Sequence, residues 1–224
     1  MTTKTELCNR ASRILFSGNI TPEDDAFLRE IVKGHPIADV KIGPGIDHFE
    51  IRRGGRFNQN VLFLVRIDGT ATDISFRQCI NGESSHRTKV LAAMRAAIAD
   101  QVIAFRDHAL TTNARCSITG IPLTRENIHV DHDPPFIEIA KAFLASEGGA
   151  ENVTLTDDGD GQIGRTLADK RQMFAWQDYH RERAVLFPTD AHANMRKGRK
   201  SFRSYARDGI DSSKRANEDD ENEN

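Results

Sequence analysis

Apolar positions in the first 35 residues recur at helical spacing, with Leu7, Ala11, Ile14 and Leu15 on one face. A second short helix opens at TPED. Thr21 is placed to cap, Pro22 suits the first helical position, and Asp24 completes a capping box. Gly34 and then Pro36 mark its stop. From Asp39 to Phe76 the pattern changes to short β-rich runs: VKIG, HFEIRR, VLFLVRI and TDISF. Between them stand Gly43-Pro44-Gly45, Gly54-Gly55 and Asp68-Gly69, the last a hairpin turn that needs positive φ. Leu91, Met94, Ile98, Val102 and Phe105 predict one long helix over about 86–108 whose apolar stripe packs on the sheet. Beyond Thr111, RCSIT and NIHVD predict two strands. Helical patterns follow at about 136–147, 167–183 and 190–206.

Two α+β units follow from this order. Residues 1–110 form a domain of N-terminal helices plus an antiparallel sheet with a long helix. Residues 111–207 form the second domain, and 208–224 a disordered acidic tail. From Asp211 onward the tail sets six acids against two bases, with no large apolar residue. Just before it, Met195 to Arg207 carries six bases and no acid, so a near-neutral chain of net charge −2 holds one basic run suited to a polyanion. The ordinary alternative is a solvated helix face.

No apolar run approaches the roughly 18 residues of a membrane span, and MTTKTELCNR lacks a signal-peptide core, so a cytoplasmic location is expected, with no membrane partner. Cys8, Cys79 and Cys116 form no CxxC pair, which argues against a structural zinc or disulfide framework. The acids of TDDGDGQIG lack EF-hand spacing and its closing glutamate.

The stretch with most chemical content is IHVDHDPP, residues 128–135. Neighbours on a regular strand point to opposite faces. The two prolines predict a distorted strand end, where Asp131 and His132 converge on one point. A carboxylate there suits a hard cation, and an imidazole suits a general base. Taken singly, the pair also reads as an ordinary surface pair at a turn.

Two family resemblances join these pieces. LFSG…DDAFLREIVKGHP, KIGPGI and VRIDGTATDISFRQCI resemble, over roughly residues 11–108, the DCL-like domain. That domain takes its name from a plant plastid protein implicated in ribosomal RNA maturation, and it implies a binding or targeting module. CSITGIPL, IHVDHDPP and LFPTDAHANMRKG, over about 114–200, resemble the HNH nucleases. This implies a ββα-metal fold with helical insertions, in which a β-hairpin and a following helix surround one divalent ion. By that resemblance Asp131 and Asn194 hold one Mg2+ or Mn2+ per site, and His132 is the general base. The reaction is hydrolysis of DNA, read as double-stranded, to a 5′-phosphate and a 3′-hydroxyl in a restriction or mobile-element setting. Arg196, Lys197, Arg199 and Lys200 would contact phosphates.

Val185 stands where the family carries an asparagine that orients the catalytic histidine. His180 is the candidate to take over that catalytic duty, or else to bind phosphate. Asp190 either caps the last helix or adds a ligand, and His129 is incidental. RNA as substrate and a homodimer stay open. So does a non-catalytic nucleic-acid-binding protein that keeps a nuclease-like scaffold.

Overall fold

The computed structural model describes residues 2–54, 59–156, 165–198 and Lys200. The turn at Gly55, the loop at 157–164, Arg199, the basic run past Lys200 and the acidic tail lie outside the described residues. Helices and two small antiparallel sheets make the chain α+β. Among the described residues no helix is long and apolar enough to cross a membrane. The chain divides into one unit of Met1–Ala96 with Thr154–Ala168 and another of Ala97–Val153 with Asp169–Asn224.

In the first unit, α1 (Lys4–Ser17) and α2 (Pro22–Val32) both start on capping boxes, Thr3 with Glu6 and Thr21 with Asp24. Each box satisfies backbone donors that a helix start otherwise leaves exposed. The predicted VKIG strand is instead a short helix, α3 (Ala38–Ile42), with Val40 65% exposed. Tertiary contacts override the β-branched run here. The buried guanidinium of Arg66 donates to the carbonyls of Lys41 (3.0 Å) and Val40 (3.3 Å) at the helix end, and Lys41 pairs with Asp73 at 3.2 Å.

Strands β1 (Ile46–Gly54), β2 (Gln59–Arg66) and β3 (Ala71–Asp73) form an antiparallel sheet in that order. Central β2 buries Leu62, Phe63 and Leu64 in succession, as a strand covered on both faces should. Gly69, at φ 80°, makes the expected turn into β3. Leu64 pairs with Phe49 and Thr72 and packs into a core with Ile14, Leu28, Val32 and Ile74. The second half of the TDISF run leaves the sheet and leads into α4 (Phe76–Asn81). At Gly34 a side chain would strike the Cys79 carbonyl of α4, so the end of α2 needs glycine for that close approach.

The single long helix predicted over 86–108 is two, α5 (His86–Ala97) and α6 (Ala99–Thr111). Ile98, at φ −100° and ψ 7°, breaks them where one unit passes to the other. Of the stripe, Met94 and Ile98 are buried, and Leu91, Val102 and Phe105 are half-buried.

The second unit begins with α6. RCSIT does not form the expected strand. Cys116 donates its N–H to Ile121 (2.9 Å) and accepts from Gly120 (2.8 Å), closing a tight turn with a single Arg115–Pro122 bridge. Strand β4 (Ile128–Asp133) pairs instead with β5 (Val185–Asp190), which occupies the gap between the helical patterns predicted at 167–183 and 190–206. Pro188 stands within β5. In a two-stranded ribbon both strands are edges, so the missing N–H is tolerated, and the Pro188 carbonyl accepts from Ser117 at 2.9 Å.

Between β4 and β5 come α7 (Phe136–Ser146) and α8 (Lys170–Arg183). Fully buried Trp176 of α8 packs edge-on to Phe136 and tilted against Phe143 of α7, with ring centroids 6.0 and 5.3 Å apart. Such aromatic contacts contribute roughly 0.5–1.5 kcal/mol each beyond simple burial. Asp169 caps α8, and Leu167, predicted to be helical, lies in a bridge to Leu155. The last helix is α9 (Ala191–Lys197), capped by Gly198, and the part of the predicted 190–206 helix at 199 and 201–206 lies outside the described residues.

Candidate functional site

The β4–β5 ribbon, α8 and α9 gather most of the singled-out residues. Pairing runs without interruption from Ile128↔Asp190 to Asp133↔Val185, so the expected distorted strand end is absent. Asp131 and His132 therefore keep the alternation of a regular strand, and their side chains meet different helices.

Asp131 faces α9. Its Oδ2 lies 3.0 Å from Lys197 Nζ, with the side chains only 12% and 1% exposed. The ammonium approaches away from a hydrogen-bonding direction. That buried oxygen is thus charge-paired without a hydrogen bond. Lys197 also donates to the Lys200 carbonyl at 2.5 Å. The expected phosphate contact by Lys197 is overturned: a buried ammonium already opposing a carboxylate has no face toward a polyanion. Arg196 and Lys200 are exposed.

Asn194 is half-buried on α9, three residues before Lys197. Residues so spaced share a helix face, which brings the amide to the side of α9 that meets Asp131. Asp190 is the cap, its Oδ1 accepting from His192 (3.0 Å) and Ala193 (3.1 Å). The Asp190 N–H in turn donates to Cys116 Sγ at 3.2 Å, tying the turn to the start of α9. Burial pushes the Cys116 thiol up, and hydrogen bonds from Thr119, Asp190 and Ile118 outweigh it, leaving the thiol below the usual range.

His132 faces α8. Its Nε2 lies 3.1 Å from His180 Nε2, and Phe136 packs edge-on to it at 5.9 Å. His180 is 1% exposed and its Nδ1 meets Gln101 Oε1 of α6 at 2.7 Å. Desolvation, with a smaller push from Arg181, lowers its pKa to about 4, so it is neutral at physiological pH. With both nitrogens engaged in the interior, His180 cannot bind a phosphate. It can orient His132. Val185, 52% exposed, pairs with Asp133 and has no part in this. His129 is exposed. Gln101 carries a role that sequence reasoning missed. It looked like one polar position on an amphipathic helix, and no motif spacing links α6 to α8.

Among the described residues no three His, Cys, Asp or Glu side chains cluster as a metal cage. The oxygen donors at hand are the Asp131 carboxylate and the Asn194 amide. Magnesium keeps several waters and takes one or two carboxylates, and a buried carboxylate oxygen lacking a hydrogen bond suits such an ion. Lys197 holds a competing positive charge on that same oxygen.

Residues 14–80 match the family described as "Protein of unknown function (DUF3223)". The protein EMBRYO DEFECTIVE 514 of Arabidopsis thaliana is 45% identical over 59 residues, 26% of this chain and 29% of that protein. The chloroplastic protein DCL of Solanum lycopersicum is 41% identical over 56 residues, 25% of each. An uncharacterized protein of Rhodospirillum rubrum, solved in solution, is 31% identical and covers 34% of this chain and 77% of its own, with a TM-score of 0.32. The chain spans less than a third of the length of the two curated relatives. Its N-terminal segment is DCL-like.

Proposed function

We propose that the chain is a divalent-metal-dependent endonuclease of the HNH, ββα-metal type that hydrolyses DNA phosphodiester bonds, with its DCL-like segment as a binding module. The observation that carries this reading is the buried Asp131 oxygen, without a hydrogen bond, opposite the α9 face that bears Asn194. Those two residues would hold Mg2+ or Mn2+. The chemistry an ion supplies there is polarisation of the phosphoryl group and relief of charge on the leaving 3′ oxygen.

His132 takes the proton of the attacking water, a contribution of typically ~10²–10⁴-fold. Phe136 and His180 hold its ring against rotation. Arg196 and Lys200 draw the phosphate backbone across the face of α9 without reading bases. The name of one relative is chloroplastic, so a plastid setting competes with the expected cytoplasmic one.

The test is Mg2+- or Mn2+-dependent plasmid nicking by the purified chain beside His132→Ala. Loss of nicking in a folded variant is expected. Undiminished nicking would discard the assignment.

One observation favours the second reading, a non-catalytic nucleic-acid-binding protein on a nuclease-like scaffold: the Lys197 ammonium already neutralises Asp131. Gel shifts with DNA and RNA, with and without Mg2+, separate the two. Retarded bands with no cleavage of either nucleic acid select the scaffold.

A further inference from the structure

The contacts behind His132 form a directed chain that starts at a group with only one hydrogen-bonding role. The Gln177 carbonyl of α8 can only accept, and Gln101 Nε2 lies 2.8 Å from it. The amide of Gln101 is thereby oriented, which turns its Oε1 toward His180 Nδ1 at 2.7 Å. That oxygen can only accept as well, so His180 carries its proton on Nδ1. The buried ring is neutral, which leaves Nε2 as a bare acceptor. The partner of this acceptor, 3.1 Å away, is His132 Nε2, which must be the donor. The same Gln177 fixes its own end by donating Nε2–H to the Ala97 carbonyl at 2.6 Å. Trp176 and Phe136 pack edge-on to His180 and His132, at 5.7 and 5.9 Å, and brace the two rings on either side of the contact.

We propose that Gln101 and His180 are positioning residues that fix the tautomer of His132, holding the proton on Nε2 and leaving Nδ1 the basic nitrogen. The assignment of tautomers stands on the contact geometry together with the neutrality that burial imposes on His180. Its catalytic meaning rests on the nuclease reading. The relay supplies, from α6 and α8, the orienting partner that Val185 cannot provide. It also accounts for a fully buried histidine that touches no substrate: a neutral Nδ1–H imidazole presents a lone pair where an asparagine or a carbonyl would present an oxygen.

The experiment is two-bond 1H–15N correlation of the imidazole nitrogens in the full 15N-labelled chain, at mildly alkaline pH where both rings are neutral. His132→Gln and His180→Gln assign the signals. Neutral imidazole in water prefers the Nε2–H form, so the signature is a contrast: His180 as Nδ1–H and His132 as Nε2–H. In Gln101→Leu the lock is released, and His180 should revert to Nε2–H and lose its contact with His132. Gln101→Met fills nearly the same space with neither donor nor acceptor and should also lose the contrast, which separates the relay from simple packing.

If the nuclease reading holds, Gln101→Leu and Gln101→Met each lower kcat roughly 10- to 100-fold with KM unchanged, the scale on which supporting residues act. His180 found as Nε2–H in the unmodified chain overturns the relay, even if nicking is intact. The contrast found in a chain that cuts nothing supports the relay and sinks the nuclease reading alone.

Discussion

Replacing Lys197 by methionine removes the cation opposite Asp131 while keeping most of the buried aliphatic stem. At 3.0 Å, with an effective dielectric near 20, the pair attracts by about 5–6 kcal/mol. Desolvation cancels much of this, but deleting one partner leaves the other charge buried and uncompensated, at a cost of about 3–5 kcal/mol. Asp131→Asn in the same background removes that orphan charge. The double variant should regain part of the loss, with a coupling of about 1–3 kcal/mol in a double-mutant cycle.

Trp176 is the only tryptophan and is fully buried in the second unit, so its fluorescence in urea reports on that unit alone. A metal-binding site adds a second signature. With the ammonium gone, Mg2+ is the remaining way to neutralise Asp131, so added Mg2+ should stabilise Lys197→Met more than the parent chain, by about 2.7 kcal/mol at a hundred times Kd. Lys197→Met within about 0.5 kcal/mol of the parent, or strictly additive with Asp131→Asn, would refute the reasoning about the pair. Equal responses to Mg2+ in both proteins would refute the idea that lysine and ion compete for one oxygen.

Three further outcomes follow from the same geometry. Because burial lowers His180 to about 4 from an ordinary value near 6.5, the unfolded chain binds its proton first as pH falls. Stability from this residue is complete above pH 6.5 and is lost through about pH 4, on the order of 3 kcal/mol in all. Urea titrations followed by Trp176 should show this slope, and His180→Gln should flatten it. Arg196→Gln and Lys200→Gln should each reduce the salt dependence of DNA binding by about one phosphate contact, whereas Lys197→Gln leaves it unchanged; filter binding across a salt series checks all three. Gly34→Ala should destabilise the first unit by about 1–3 kcal/mol, since the new methyl meets the Cys79 carbonyl. Thermal melts measure that loss, and a neutral result would mean that α2 and α4 can separate freely.

Local chemistry was legible where a few adjacent residues decide the outcome. Thr21, Pro22 and Asp24 specify a helix start without help from the rest of the chain, and Asp68-Gly69 specifies its turn in the same way. Expectations failed where distant groups decide. VKIG has the residues of a strand, yet the guanidinium of Arg66, arriving from β2, secures it as a helix end. LFPT fell between two predicted helices, yet it pairs with β4, more than 50 residues away, as an edge strand that tolerates Pro188. The apolar stripe from Leu91 to Phe105 has the right period for one helix, and periodicity says nothing of the break at Ile98.

The candidate site follows the same rule. Motif spacing found Asp131, His132 and Asn194, but not that Asp131 and His132 would answer to separate helices, nor that Lys197 would turn inward. Gln101 was invisible, because its significance lies in a carbonyl of another helix.

Strand β4 cannot be completed by its neighbours in the chain. Its partner begins at Val185, more than 50 residues after Asp133, and α7 and α8 must fold in between. Closing so long a loop is slow relative to forming either helix, since its entropy is lost before the ladder of hydrogen bonds repays it. On the ribosome, Asp131 and His132 emerge well ahead of the residues that complete their surroundings. A nascent chain halted anywhere before β5 carries the chemistry-bearing pair on an unpaired edge, with neither Lys197 nor Asn194 yet made. The constellation therefore assembles in one late step, once β5 and α9 have both been made.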